Sequence, residues 1–530
     1  MSASIGTEVH AKSNAFHREH VHTIQVSAEA DKSAWQLIKE NPRVVLFAFL
    51  ANCGSLLFGF DVLVQGAVNA LPAFSMFYGS PFGDQLILPA LWQGLWTATA
   101  ALGIMVGAVV NGLLQDLAGR KWMFSAGGLV SCVGTGVVYV SADHSDVEAR
   151  RGILLVGKFI IGVAMGVMMS TCQTYVSEIS PPRLRTILLG FYPFFITVGQ
   201  MIAITLVFSG VMNFTPYAFK LPFASQWAFG GWAVLVGVVI PESPVHLVAK
   251  GKLAAAEKAM RIIYGTGTST AERIQSIEST IENERLSAAA SNSTSYSECF
   301  RGTNLRRTRI VALLHSLQQF MGVSLVANST YFFIMAGMNP TMSLTVNQIG
   351  VGLSMFFTLT SWAIMSRIGR RTAILGSLAF AGLVYLAMGI AGFFPGNQKA
   401  VLFIGSAVVI AASASNVGVG TAYTIVAAEI PSVKLRAKTT GLGFFVNAFM
   451  TWIFSFTVPY MFNADAGNLG GKIGFVFSGF CILGFALSWL EIPETLNVTY
   501  AHLDYLFQQN IPTRAFKTLD EDDRNWVAEH

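Results

Sequence analysis

The sequence predicts an all-α membrane protein with twelve transmembrane helices in two six-helix bundles. Three observations carry this. Of 530 residues, 53% are hydrophobic and only 12% charged, where a soluble domain has roughly a quarter charged. Apolar runs long enough to cross a hydrocarbon core of about 30 Å recur along the chain. Three short signatures in the first half return in the second at an offset of 250 to 252 residues. Runs this long and continuous exclude a membrane β-barrel, whose strands alternate in polarity over about ten residues.

The spans follow in order. Val44–Val64 is the first, with Asp61 near its end, and is expected to act as a signal anchor because residues 1–43 are polar. Leu88–Leu114, Trp122–Val140 and Ile153–Cys172 follow, the last carrying Lys158. Ile187–Phe208 contains Pro193 and Gln200, and Trp227–Ile240 is short. Residues 245–309 are too charged to span and contain the helix-like stretch Leu253–Tyr264. The second set is Ile310–Phe333, Ile349–Met365, Ala373–Phe394, Val401–Ala427, Gly441–Met461 and Ile473–Leu490. The expected organisation is a tail (1–43), a six-helix half (44–244), a linker with short helices (245–309), a second half (310–492) and a tail (493–530).

The net charge of +5 is set by topology and does not point to nucleic acid. Arg120, Lys121, Arg183, Arg185, the group Arg301 to Arg309, Arg367, Arg370, Arg371, Lys434, Arg436 and Lys438 fall in loops on one side. Only Arg150, Arg151, Lys220, Lys399 and Lys472 fall on the other. The positive-inside rule makes the first side, with both termini, cytoplasmic. Four of the five cysteines lie in apolar runs and Cys299 in a loop, so no disulfide framework is expected. The histidines of the N-terminal tail fit no closed metal site. No nucleotide loop accompanies any glycine pair, which disfavours an ATP-driven pump. No nucleophile, base and orienting group gather at one membrane face, so no enzyme is expected. No cofactor is called for.

The repeat pairs Gly119-Arg120-Lys121 with Gly369-Arg370-Arg371, Glu178-Ile179 and Arg185 with Glu429-Ile430 and Arg436, and Ile240-Pro241-Glu242 with Ile492-Pro493-Glu494. A duplicated six-helix unit is a transporter architecture. Asp116, Arg120, Glu178, Arg185 and Glu242 would meet at the cytoplasmic end of one half, and Arg370, Glu429, Arg436 and Glu494 at that of the other. Ser366 stands where the first half has Asp116. Gly112 and Gly119 would let spans 2 and 11, or the turn after span 2, approach closely.

The stretch Gly112 to Lys121 resembles the GxxxDxxGRK loop of the major facilitator superfamily, and Pro241-Glu242-Ser243-Pro244 resembles the PESP of its sugar porters. Gln318-Gln319, Ser329-Thr330-Tyr331-Phe332, Glu429-Ile430-Pro431-Ser432 and Pro459-Tyr460-Met461-Phe462-Asn463 are similar to fungal maltose and α-glucoside permeases. The resemblance implies a monomeric secondary transporter of the cell membrane, moving a sugar with protons by alternating access, and makes the charged sets a cytoplasmic gate. Gln200, Gln318, Gln319, Ser324, Asn328, Tyr423, Thr424, Asn447 and Trp452 become the substrate site, since amides donate and accept at once and aromatic faces stack on sugar C–H surfaces. Helix-to-helix glue is the competing role for each amide. Pro193, Ser324 and Ala448 depart from the hexose-porter pattern toward a wider pocket that suits a disaccharide. A facilitator or exporter of another small molecule, such as a secondary metabolite, is the alternative.

An ionised side chain inside a span costs about 2.5 to 3.5 kcal/mol and normally has a partner. Asp61 and Lys158 lie at matching depths, so they are expected to pair. The resemblance makes Asp61 the proton carrier and puts Lys158 where an arginine is usual. Asn213-Phe214-Thr215, in the outer loop between spans 5 and 6, is a candidate glycan acceptor, whereas the sequons at Asn292 and Asn497 lie inside.

Overall fold

A computed structural model describes residues 34–265, 270–291, 296–365, 368–432, 435–496, 500–509 and 511–516. The tail histidines, the sequon asparagines 292 and 497, Ser366, Arg367 and Lys434 lie outside the described residues. Twelve helices are long and apolar enough to cross a membrane. They are Pro42–Val68, Ala90–Ala118, Arg120–Ser141, Val147–Ile179, Ile187–Ser209, Tyr217–Val239, Gly302–Ala327, Pro340–Ser361, Arg370–Ala391, Gln398–Glu429, Lys438–Phe462 and Gly470–Glu491, numbered here as spans 1 to 12.

Two spans begin well before their apolar runs. Span 6 starts at Tyr217 and span 8 at Pro340, because Lys220, Gln226, Ser343 and Asn347 dilute the hydropathy there. Three of these polar groups are nonetheless buried: Gln226, Ser343 and Asn347. Asn347 donates to the Thr330 hydroxyl, which removes the cost of taking its amide out of water. The linker contains the helix Leu253–Tyr264, as its pattern predicted, and a second, Thr270–Ser291. A small hairpin, Ser80–Phe82 with Gln85–Ile87, joins spans 1 and 2. It turns through Gly83 at φ 59°, and the alternation of so short a ribbon leaves no sequence signal.

Spans 2 and 4 make the most extensive pairing of the first half. A Cβ on Gly107 would lie 2.1 Å from the Val163 carbonyl oxygen, and one on Gly166 would lie 2.2 Å from that of Ile104. The backbones therefore touch, the small-residue packing that holds helices together where lipid removes the hydrophobic driving force. Gly112, expected at a close approach, faces open space. Spans 2 and 11 instead converge at Gly94, 2.9 Å from Phe456 O for a Cβ. Gly119 is required for another reason: its φ of 94° lies in the left-handed region.

Contacts between the halves run through spans 2 and 11, 5 and 8, and the end of 1 with 7. The side-chain bonds among described residues that join the halves gather toward the end away from the basic loops. Leu88 N donates to the Tyr331 hydroxyl at 3.0 Å, Ala90 N to the Asp465 carboxylate at 3.0 Å, and Asn463 Nδ2 to Leu88 O at 2.7 Å. Thr97 Oγ1 donates to Ser455 O at 2.9 Å and Gln348 Nε2 to Thr205 Oγ1 at 3.3 Å. At the basic end every ion pair between described residues stays within one half. The molecule is thus fastened across its neutral end.

Candidate functional site: a buried ion pair, an amide network and two ionic clusters

Span 1 brings Asp61 to the centre of the first half because Gly59, with no Cβ, lets it lie against the Ile196 carbonyl of span 5. Span 4 supplies Lys158. The Lys158 ammonium donates to Asp61 Oδ1 at 2.7 Å, and the two residues are 1% and 2% exposed. A group absent from the sequence reading completes the arrangement: Gln226 Nε2 donates to the same oxygen at 2.6 Å. Gln226 was missed because it immediately precedes the apolar run that defined span 6. Its Oε1 has no partner within the protein. The Phe223 ring lies 5.8 Å from the ammonium. Removing both charges from water is repaid only by such close pairing and added hydrogen bonds. An acid and a base are thus held in contact in the interior.

The amides of the second half form a chain around span 7, whose helix is interrupted at Gly322 in left-handed conformation (φ 81°). Gln319 Nε2 donates to Thr451 Oγ1 at 2.9 Å, Ser324 Oγ to Gln319 Oε1 at 2.7 Å, and Asn328 Nδ2 to Ser324 O at 3.0 Å. Gln318 is half-buried. Asn447 Nδ2 donates to His315 O at 3.1 Å. The buried His315 ring meets Tyr423 and Phe444 edge-on, with centroids 5.4 and 5.2 Å away. His315 and Thr451 were missed, each a lone polar residue in an otherwise apolar turn. Trp452 stacks on Phe449. Thr424 is exposed, and its hydroxyl reaches only Thr421 O in its own helix, at 3.4 Å. Half-buried Gln200 makes no hydrogen bond to a described residue. Neither Thr424 nor Gln200 joins the chain.

At the basic end, Glu242 at the foot of span 6 accepts the Arg120 N–H at 2.8 Å and thereby caps span 3. Glu494 caps span 9 in the same way through Arg370 N at 2.8 Å. Carboxylates at helix N-termini satisfy free donors and the helix dipole together. Arg120 pairs with Glu178 at 2.7 Å and Asp116 at 3.2 Å, and Nη1 lies 2.8 Å from His246 Nδ1. Arginine always carries its protons, so the imidazole accepts through Nδ1. Burial, then Arg120, depresses the His246 pKa. In the second cluster Arg370 lies 3.8 Å from Glu429. Exposed Arg185 reaches only Ser180 O, at 3.5 Å, apart from the carboxylates. Arg436 is half-buried at the start of its helix. Asn213 is exposed, its Oδ1 accepting from Thr215 N and Oγ1 at 2.9 and 2.7 Å.

Twelve spans and these signatures define a secondary transporter of the major facilitator fold. The family model described as "Sugar (and other) transporter" matches residues 47–507, and the chain belongs to that family. It is 31% identical over 509 residues to "MFS transporter fmqE" of Aspergillus fumigatus, covering 93% of this chain and 92% of that one. It is 30% identical over 500 residues to the "General alpha-glucoside permease" of Saccharomyces cerevisiae, covering 92% and 79%. Among solved structures, the inward open conformation of the xylose transporter XylE from E. coli superposes with a TM-score of 0.72 at 18% identity, over 87% of this chain and 99% of that one. The chain is a multi-pass membrane transporter of a small molecule.

Proposed function

We propose that the protein is a proton symporter for an α-glucoside such as maltose, acting as a monomer in the cell membrane with both termini cytoplasmic. The observation that carries the proton part is the buried Asp61 and Lys158 pair. Asp61 carries the coupled proton and Lys158 is the partner it leaves when the spans separate, so that proton and solute cross in the same step. Gln226 orients the carboxylate, since its amide donates to the same oxygen that Lys158 engages. One proton crossing ~150 mV releases roughly 3.5 kcal/mol, enough for a solute gradient of a few hundredfold.

The substrate part rests on Gln318, Gln319, Asn328, Asn447, Tyr423 and Trp452, with Gln200 from the first half closing on the solute from across the cleft. Ser324 and Thr424 leave room for a second ring. The ionic clusters act as struts that hold each half rigid at the cytoplasmic end, and Arg185 and Arg436 re-pair when that end closes. The exposed Asn213 takes a glycan. The A. fumigatus relative, whose name carries no sugar, and the departures at Pro193 and Ala448 favour a second reading, export of another small molecule.

The test is purified protein in liposomes under an imposed pH gradient, with internal pH recorded during addition of maltose, glucose or candidate metabolites. Maltose-dependent proton entry that Asp61→Asn abolishes is expected. Maltose flux indifferent to the gradient sinks the symporter, and metabolite flux without maltose flux establishes the second reading.

A further inference from the structure

Four side chains where the end of span 1 meets span 7 are each at least 96% buried and only partly satisfied. Gln65 Nε2 donates to Asn69 Oδ1 at 2.9 Å, which leaves Gln65 Oε1 and Asn69 Nδ2 without partners among the described residues, as are Asn328 Oδ1 and Ser329 Oγ. The four are 4%, 1%, 2% and 2% exposed. Exchanging the amide oxygen and nitrogen of Gln65 and Asn69 changes nothing, because the pair then still leaves one donor and one acceptor free. The two segments are in backbone contact, since a Cβ on Gly66 would sit 2.0 Å from Ala327 O and 3.5 Å from the Asn328 Cα. The surroundings are apolar, with Val64, Val68 and Leu325 fully buried. A buried group left unpaired costs about 1 to 3 kcal/mol, and four together on one seam are more than packing alone explains.

Asn69 also lines a cavity of about 340 Å³ at the neutral end, bounded by Ser75, Gln85 and Phe214 from the first half and Tyr331 and Pro340 from the second. No residue lining it is charged. Free donors and acceptors without a fixed charge, beside the rings of Tyr331 and Phe214, match hydroxyl groups on a carbon frame.

We propose that Gln65, Asn69, Asn328 and Ser329, with this cavity, form an outer binding site for a neutral polyhydroxylated solute. It lies outward of Gln318 and Gln319, joined to their network through Asn328, whose amide donates to Ser324 O, and is the first station on the path between the halves. The inference rests on the reading of the chain as a carrier of sugars. The solute sits with a hydroxyl on Asn69, the one of the four that lines the cavity, and its C–H faces on the two rings, and Gln65, Asn328 and Ser329 take its hydroxyls as the neutral end opens.

The experiment is electron cryomicroscopy of the purified full chain in lipid nanodiscs, alone and with saturating maltose, trehalose, glucose or sorbitol, alongside maltose uptake in liposomes. Density for at least one of these in the cavity, touching Asn69, is expected, with binding weakened about tenfold by Gln65→Leu, the scale of one lost hydrogen bond to a buried partner. Where Gln65→Leu fails to fold, Asn69→Ser serves. No density with any of the four overturns the site, and maltose uptake in that case shows that the sugar reading survives without it. A polyol in the cavity without maltose uptake upholds the site and removes only the α-glucoside assignment.

Discussion

The carboxylate of Asp465, in the second half, accepts the backbone N–H of Ala90 at 3.0 Å, so the first turn of span 2 is capped from across the molecule. The Tyr331 hydroxyl and the Asn463 amide hold the N–H and the carbonyl of Leu88 on the same connection. These bonds join the two halves at the neutral end, so in the proposed alternating-access cycle they favour the state closed there.

Asp465→Ala is therefore expected to favour the state open at the neutral end. Losing an N-cap costs about 1 kcal/mol, which is roughly a fivefold change in the population ratio. Spin labels placed across that end report the distances. Asp465→Asn, which keeps an acceptor, is expected to shift them much less, and equal shifts for both variants contradict the capping role.

Asp61 and Lys158 make a different prediction. Lys158→Met leaves a buried carboxylate with only the Gln226 amide, a loss of about 3 to 5 kcal/mol. The double variant Lys158→Met with Asp61→Asn removes both charges and is expected to regain most of the thermal stability without regaining proton coupling. A double variant as unstable as the single one shows that packing of the lysine stem, rather than its charge, holds spans 1 and 4.

The two halves, the twelve spans and the ion pair were legible because each leaves a strong signal: span-length apolar runs, a register of motifs, and one acid and one base at equal depth. Gln226, His315 and Thr451 were not, since a single polar residue beside an apolar run changes the hydropathy little and its meaning depends on what faces it in space. Glu242 was legible as a charge but not as a cap, because capping depends on where span 3 begins in three dimensions. The state of the molecule was invisible too: the bonds of Leu88 and Ala90 are made by backbone groups that every sequence contains.

His246 predicts an acid sensitivity of the first cluster. Its pKa is depressed below the ordinary 6.5, so the neutral ring is the form that fits beside Arg120. The contribution is fully present above pH 6.5 and is lost as the pH falls through that value toward the folded-state pKa. Thermal unfolding in detergent is expected to drop more between pH 7.5 and 5.5 for the native chain than for His246→Asn, in which no ring titrates. Parallel curves remove His246 as the cause.

Two glycines separate fold from conformational state. Gly107 lies inside the first half, where a Cβ would be 2.1 Å from Val163 O, and Gly66 lies between the halves, where it would be 2.0 Å from Ala327 O. The clashes are nearly equal, but their relief is not. Spans 2 and 4 belong to the same half, so Gly107→Ala must push apart two helices and is expected to lower the unfolding temperature, by about 1 to 3 kcal/mol of overpacking. In the proposed alternating-access cycle spans 1 and 7 part when the neutral end opens, so Gly66→Ala is relieved by the alternative state. It is expected to keep most of the stability while raising the accessibility of a cysteine placed at Ser75 to a membrane-impermeant thiol reagent. Equal destabilisation by the two substitutions, with no gain in labelling at Ser75, would mean that the contact at Gly66 stays closed throughout the transport cycle.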